Sequence, residues 1–268
     1  MVQPAFAFCT GASAKAEGGA KMAAYVLKAE NMIKHFRHVT ALDGVTVCAQ
    51  EGKITAIVGD NGSGKTTLIK IIAGLVRPDS GMISVGGQEL PYLTPARALQ
   101  MGIRTVYQDL ALDDCKNSFE NIFLGNELMK GPFLDRKKME EKTAEVLGRL
   151  KVQIADLYEP VRNLSGGQRQ GIAIARAVLT PGKLLLLDEP TAAMGIGESY
   201  RTMELFKRFR DEGMTQLIVS HNLQQVYDLA DYIYVFRSGR CMLETETGDV
   251  PLKELEDLLM RREEELIS

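Results

Sequence analysis

Eight consecutive residues, Gly59-Asp60-Asn61-Gly62-Ser63-Gly64-Lys65-Thr66, have the composition of a phosphate cradle. The glycines let backbone N–H groups converge on anionic oxygens, and a helix starting just after them adds a favourable partial charge. Lys65 is placed to reach β- and γ-phosphates, and the Thr66 hydroxyl to ligate Mg²⁺. The candidate nucleotide-binding residues here are Gly59, Asn61, Gly62, Ser63, Gly64, Lys65, Thr66 and Thr67. A second group follows four leucines: Asp188 and Glu189, carboxylates delivered at the end of a predicted strand. Open α/β sheets bind ligands at such strand ends. Asp188 suits a Mg²⁺ ion held through water, and Glu189 suits the polarisation of an attacking water. A third group, Leu164-Ser165-Gly166-Gly167-Gln168, offers another cradle: Ser165 can N-cap a helix, and Gly166 and Gly167 let backbone donors approach an anion.

These residues need elements to position them. Residues 53–58 read as a strand running into the glycine-rich loop, and 65–73 as a helix spaced at Leu68, Ile71 and Ile72, with Gly74 as its stop. The strand–loop–helix order is the context that the P-loop pattern requires. The leucines at 184–187 suit a parallel strand buried on both faces. Further strands are predicted at 24–29, 45–49, 82–85, 217–219 and 232–237, with turns at Leu42-Asp43-Gly44, Gly86-Gly87 and Ser238-Gly239. Between about 110 and 163 no strand is predicted. There Met139, Thr143, Val146, Leu147 and Leu150 form one face of a helix. Tyr200, Met203, Phe206 and Phe209 mark another buried stripe, and a helix is expected from Leu252.

Composition sets bounds. A chain of 268 residues that is 45% hydrophobic can bury a sizeable core. Its 32 basic and 35 acidic residues argue against a strongly basic nucleic-acid binder. Cys9, Cys48, Cys115 and Cys241 form no CxxC pair, and three histidines are too scattered for a zinc site. No apolar run approaches the ~18 residues of a membrane helix. Residues 1–22, rich in Ala and Gly, read as a disordered extension, with Met22 as an alternative start. A single domain is expected over 23–262, with a helical subdomain at about 110–165.

With these three motifs in this order and spacing, the chain resembles the ATP-binding cassette family over residues 24–260. The resemblance implies an α/β fold: a P-loop NTPase core with an antiparallel β lobe and an inserted α-helical subdomain. It implies ATP and Mg²⁺ as cofactors, ATPase activity, and two cassettes sandwiching two ATP molecules. Ser165, Gly166, Gly167 and Gln168 would then complete the site of a partner cassette. Gln108 falls where the family carries a glutamine that links the γ-phosphate and metal site to membrane subunits. His221, after a predicted strand, falls where the family's histidine contacts the γ-phosphate, and Phe36 where an aromatic residue stacks on adenine. On residues alone, Phe36 reads equally well as a core aromatic.

Residues 98–103, 106–112 and 120–125 resemble the monosaccharide-importer branch of the family. That resemblance implies transmembrane permease subunits, an indirect substrate-binding protein, and a peripheral location on the cytoplasmic face of the membrane. No residue of the chain is expected to touch a sugar. One departure stands out: the family's segment after Thr191 usually ends in aspartate, and here reads Ala192-Ala193-Met194-Gly195. Two other readings compete. A soluble cassette ATPase would be expected to show paired cassettes, coiled-coil insertions or a basic surface. A weakly hydrolysing, nucleotide-gated module is favoured by Gly195 and opposed by Glu189 and His221.

Overall fold

The computed structural model describes residues 24–192 and 194–260; the expected extension at 1–22 lies outside them. The chain opens with a long hairpin, β1 (Tyr25–Phe36) and β2 (Val39–Gln50). The tripeptide Leu42-Asp43-Gly44, expected to be a turn, lies inside β2. Pairing shifts from Met32 with Val45 to Lys34 with Leu42, so the extra residues form a bulge, with Gly44 at φ 70°. The true turn is at residues 37–38, where Arg37 takes a positive φ. Strands β4 (Ser80–Val85) and β5 (Gln88–Leu90) join this hairpin in an antiparallel sheet of order β2-β1-β4-β5. Gly86 and Gly87 form the tight turn between them, both at positive φ.

A second sheet holds the site. Its strands are β3 (Ile54–Gly59), β6 (Ile103–Val106), β9 (Leu184–Asp188), β10 (Thr215–Ser220), β11 (Tyr232–Arg237) and β12 (Arg240–Glu246). The order is β12-β11-β3-β10-β9-β6, parallel except for the β12 edge. The leucine run explains itself by period two: Leu184 and Leu186 enter the core shared with α1 (Lys65–Ile72) and the antiparallel sheet. Leu185 and Leu187 enter the core on the opposite face. Each buried leucine stabilises the fold by about 1.5–3 kcal/mol. In register, Val219 lies beside Asp188, Ser220 beside Val58, and Val106 beside Leu187. The ends of β3, β6, β9 and β10 therefore open on one edge.

Helix α2 (Pro95–Gln100) leads into β6. Between β6 and α5 (Gly166–Val178) lie α3 (Ser118–Ile122), the two-residue strands β7 (Met129–Lys130) and β8 (Phe133–Leu134), and α4 (Arg136–Leu150). The small hairpin corrects the expectation of a strand-free stretch; it is too short for period-two patterning to show. The buried residues of α4 are the five predicted: Met139, Thr143, Val146, Leu147 and Leu150. On α6 (Ile196–Asp211), Met203, Phe206 and Phe209 are buried, but Tyr200 is 67% exposed. Strict three-residue spacing drifts around a 3.6-residue helix, and Ser199 and Thr202 face inward instead. Helices α7 (Leu223–Tyr227) and α8 (Leu252–Met260) complete the order, with Leu255 of α8 fully buried.

Candidate functional site

The glycine-rich loop joins β3 to α1 and is clamped from two sides. Gly59, at φ 157°, passes so close to β11 that an added Cβ would stand 2.2 Å from the Phe236 carbonyl oxygen. At Gly64, φ 101°, an added Cβ would stand 2.3 Å from the Ala41 carbonyl oxygen of β2. Glycine is required at both positions by positive φ and by backbone neighbours that cannot give way. Asn61 and Gly62 are exposed on the loop, while Ser63, Gly64 and Lys65 are buried. Thr66 and Thr67 are half-buried at the start of α1.

The Lys65 ammonium folds back over its own loop, donating to the carbonyls of Gly59 at 2.6 Å and Asp60 at 2.8 Å, and to Ser63 Oγ at 3.5 Å. Burial lowers its pKa, opposed by the nearby carboxylates of Glu189, Asp60 and Asp188. Asp188 ends β9 and is 2% exposed. The Thr66 hydroxyl donates to its Oδ1 at 3.2 Å. Burial raises the Asp188 pKa, the Thr66 hydrogen bond works against that rise, and the Glu189 charge adds to it. A hydroxyl and a buried carboxylate at the end of a phosphate-shaped loop form a hard oxygen donor pair that fits a Mg²⁺ ion sharing its shell with phosphate and water.

Directly after β9 the chain turns sharply: Glu189 has φ 51°, a conformation that non-glycine residues adopt at a cost of about 1–3 kcal/mol. Its N–H donates to the Val219 carbonyl at 2.9 Å, which anchors the turn to β10. The turn carries its carboxylate to His221, just past β10, with Nδ1 2.8 Å from Oε2. Glu189's side chain is 9% exposed and that of His221 56%, so the pair spans from the sheet edge to solvent. Gln108 lies exposed two residues beyond β6, on the same edge.

Ser165 N-caps α5 in a capping box. Its Oγ accepts from Gln168 N–H at 3.2 Å, and Gln168 Oε1 accepts from Ser165 N–H at 2.9 Å. Nothing in the described chain joins this motif to the glycine-rich loop. Phe36 is 46% exposed at the end of β1, with Lys34 Nζ 5.3 Å from its ring centre, so the core alternative fails. His35 and His38 lie on the surface. Gly195 is the N-cap of α6 and makes no side-chain cap; a Cβ there would meet nothing within 4 Å, so an aspartate would fit. The Glu198 carboxylate packs on Gly167, far away in sequence, and no local motif marks that contact.

A parallel sheet with a lysine-bearing glycine loop, a buried carboxylate and a Glu–His pair on one edge, together with a helical lobe between β6 and α5, defines a P-loop ATPase. The family model described as "ABC transporter" matches residues 42–192, more than half of the chain. The xylose/arabinose import ATP-binding protein XylG of Sulfolobus acidocaldarius is 40% identical over 87% of this chain and 93% of that protein. The fructose import ATP-binding protein FrcA of Rhizobium meliloti is 41% identical over 80% of this chain and 86% of that protein. Among solved structures, a dimeric bacterial ABC transporter cassette superposes with a TM-score of 0.74 at 25% identity, covering 84% of this chain and 100% of that one. The chain belongs to the ABC transporter family, as one of its ATP-binding, ATP-hydrolysing cassettes. No helix among the described residues is long and apolar enough to cross a membrane.

Proposed function

We propose that this chain is the ATPase subunit of an importer for a monosaccharide, working as a pair of cassettes beneath separate membrane permease subunits. The observation that carries the ATPase reading furthest is the Glu189–His221 contact of 2.8 Å, set beside the Thr66–Asp188 pair on one sheet edge. The sugar reading rests on XylG and FrcA, whose names give xylose/arabinose and fructose import, and which this chain matches over most of its length. The pairing reading is supported by the dimeric cassette with which it superposes.

In this account residues 23–262 form one ATPase domain, with the helical subdomain at about 110–165. The glycine-rich loop, from Gly59 and Asn61 to Thr66 and Thr67, holds the phosphates. Lys65 leaves the Gly59 and Asp60 carbonyls to pair with the β- and γ-phosphates, and Phe36 stacks on adenine. Thr66, Asp188 and Gln108 would hold Mg²⁺, which when bound neutralises charge developing on the phosphate oxygens. Glu189 accepts a proton from the attacking water, and His221, held by Glu189, donates to the γ-phosphate. Ser165, Gly166, Gly167 and Gln168 of one cassette close the nucleotide site of the other. Closure draws on the higher ATP affinity of the paired state and pulls permease subunits docked near Gln108 and the helical lobe. The site then lies at the cytoplasmic face of the membrane.

The test is reconstitution. Purifying the chain from solubilised membranes of its source should bring down membrane-spanning subunits, and vesicles carrying the complex should take up a labelled pentose or hexose only with ATP. Recovery of soluble partners alone would favour a non-transport ATPase. Membrane partners without uptake of any monosaccharide would overturn the sugar reading.

A further inference from the structure

Arg176, near the end of α5, is half-buried and has no carboxylate within ion-pairing distance among the described residues. Its guanidinium reaches across to the loop that follows β6. Nη2 donates to the Leu110 carbonyl at 2.6 Å and Nη1 to the Ala111 carbonyl at 2.8 Å. One planar fork thus holds two successive carbonyls, a contact that the single ammonium of a lysine cannot reproduce. The gripped backbone is itself unusual. Ala111 has φ 48°, a region non-glycine residues seldom enter, and its N–H donates to Asp109 Oδ1 at 3.3 Å. Two turns earlier on α5, Arg169 Nη2 donates to Asp114 Oδ1 at 2.7 Å. The helix therefore holds the segment 110–114 at two points.

The chain changes packing partners across Gln108. Before it, Tyr107 packs with the core on the α1 face of the main sheet. After it, Leu110 and Leu112 pack with the core on the α5 face. Gln108 and Asp109, both exposed, form the join between the two. We propose that Arg176 is the positioning residue for Gln108. The strand β6 fixes the near end of the join, and the grip on Leu110 and Ala111 fixes the far end, so Gln108 is held on the edge that carries Asp188 and Glu189. Without the grip, the join is anchored on one side only, and Gln108 moves away from the nucleotide. The inference rests on the reading that Gln108 serves the nucleotide site. A plainer role, in which the positive charge complements the C-terminal end of α5, would require the charge and not the fork.

The test uses the full chain. Arg176→Met removes both donors and should lower kcat on the order of ten-fold while leaving ATP affinity within about two-fold, because a misplaced group costs rate more than binding. Arg176→Lys keeps the charge without the fork and should lose rate comparably. Wild-type turnover in that variant would overturn the proposal in favour of the charge alone. A cycle with Gln108→Ala isolates the route: adding Arg176→Met to Gln108→Ala should slow it by no more than about two-fold. Losses that multiply would mean that Arg176 acts elsewhere, and would overturn the proposal. Amide exchange in the nucleotide-free protein gives a readout independent of turnover. Residues 109–114 should exchange several-fold faster in Arg176→Met, with β9 and β10 as in wild type. Unchanged exchange in that loop, or acceleration spread over the whole chain, would also overturn it. Wild-type turnover in Gln108→Ala would instead remove the Gln108 reading itself, and the role of Arg176 with it.

Discussion

The Asp188 carboxylate is 2% exposed, and its hydrogen-bond partner among the described residues is one hydroxyl, Thr66 Oγ1 at 3.2 Å. In the function proposed above this buried, thinly supported charge awaits a cation that the nucleotide brings, and without nucleotide it destabilises the chain. Asp188→Asn preserves shape and the acceptor for Thr66 while removing the charge. The nucleotide-free variant should be more stable by about 1 kcal/mol at neutral pH, the size typical of relieving strain built into a site. In a domain of this size that raises the unfolding temperature by about 2–4 °C. The pH dependence carries a sign. Burial raises the Asp188 pKa, so the folded chain holds this proton more tightly than the unfolded chain does. The resulting stability is present below the ordinary value of 3.8 and is lost as pH rises through the raised pKa. The gap between wild type and variant should therefore close at acid pH and reach full size at neutral pH. Thermal unfolding across pH, without nucleotide, measures it. ATPase activity of the variant should be lost throughout. An unfolding temperature equal to or below wild type at neutral pH, or a gap that does not vary with pH, would refute the reasoning.

Lys65→Met removes charged hydrogen bonds of the kind worth about 1.5–3 kcal/mol, so nucleotide affinity measured by calorimetry should fall roughly ten- to hundred-fold; because the Gly59 and Asp60 carbonyls lose their donor, the nucleotide-free unfolding temperature should fall as well. Gly59→Ala forces a Cβ to within 2.2 Å of the Phe236 carbonyl oxygen. It should destabilise the chain by about 3 kcal/mol, read as a lower midpoint in urea, and distort the loop enough to weaken ATP binding.

What the sequence made legible follows from how local each signal is. The glycine-rich loop, the leucine strand and the α4 face depend on residues close together in the chain, and all fall where spacing put them. Parallel pairing brought Asp188, Glu189 and His221 to one edge, because Asp188 ends one short buried strand, Glu189 directly follows it and His221 directly follows the neighbouring one. The failures are non-local. Gly44 is a turn residue by type, yet it forms a bulge because β1 continues to pair beyond it. Tyr200 fits a three-residue stripe but lies off the buried face of α6. The Gly167–Glu198 contact joins two helix starts that only the packed fold brings together, so no spacing rule could announce it.

The central claim is that Glu189 drives ATP hydrolysis in a paired site. Its most direct test is the ATPase rate of wild type beside Glu189→Gln, with Mg²⁺, over a range of protein concentrations. Wild-type turnover should rise more steeply than linearly with protein, and the variant should lose on the order of 10²–10⁴-fold in rate while still binding ATP. Undiminished turnover in Glu189→Gln would contradict the assignment.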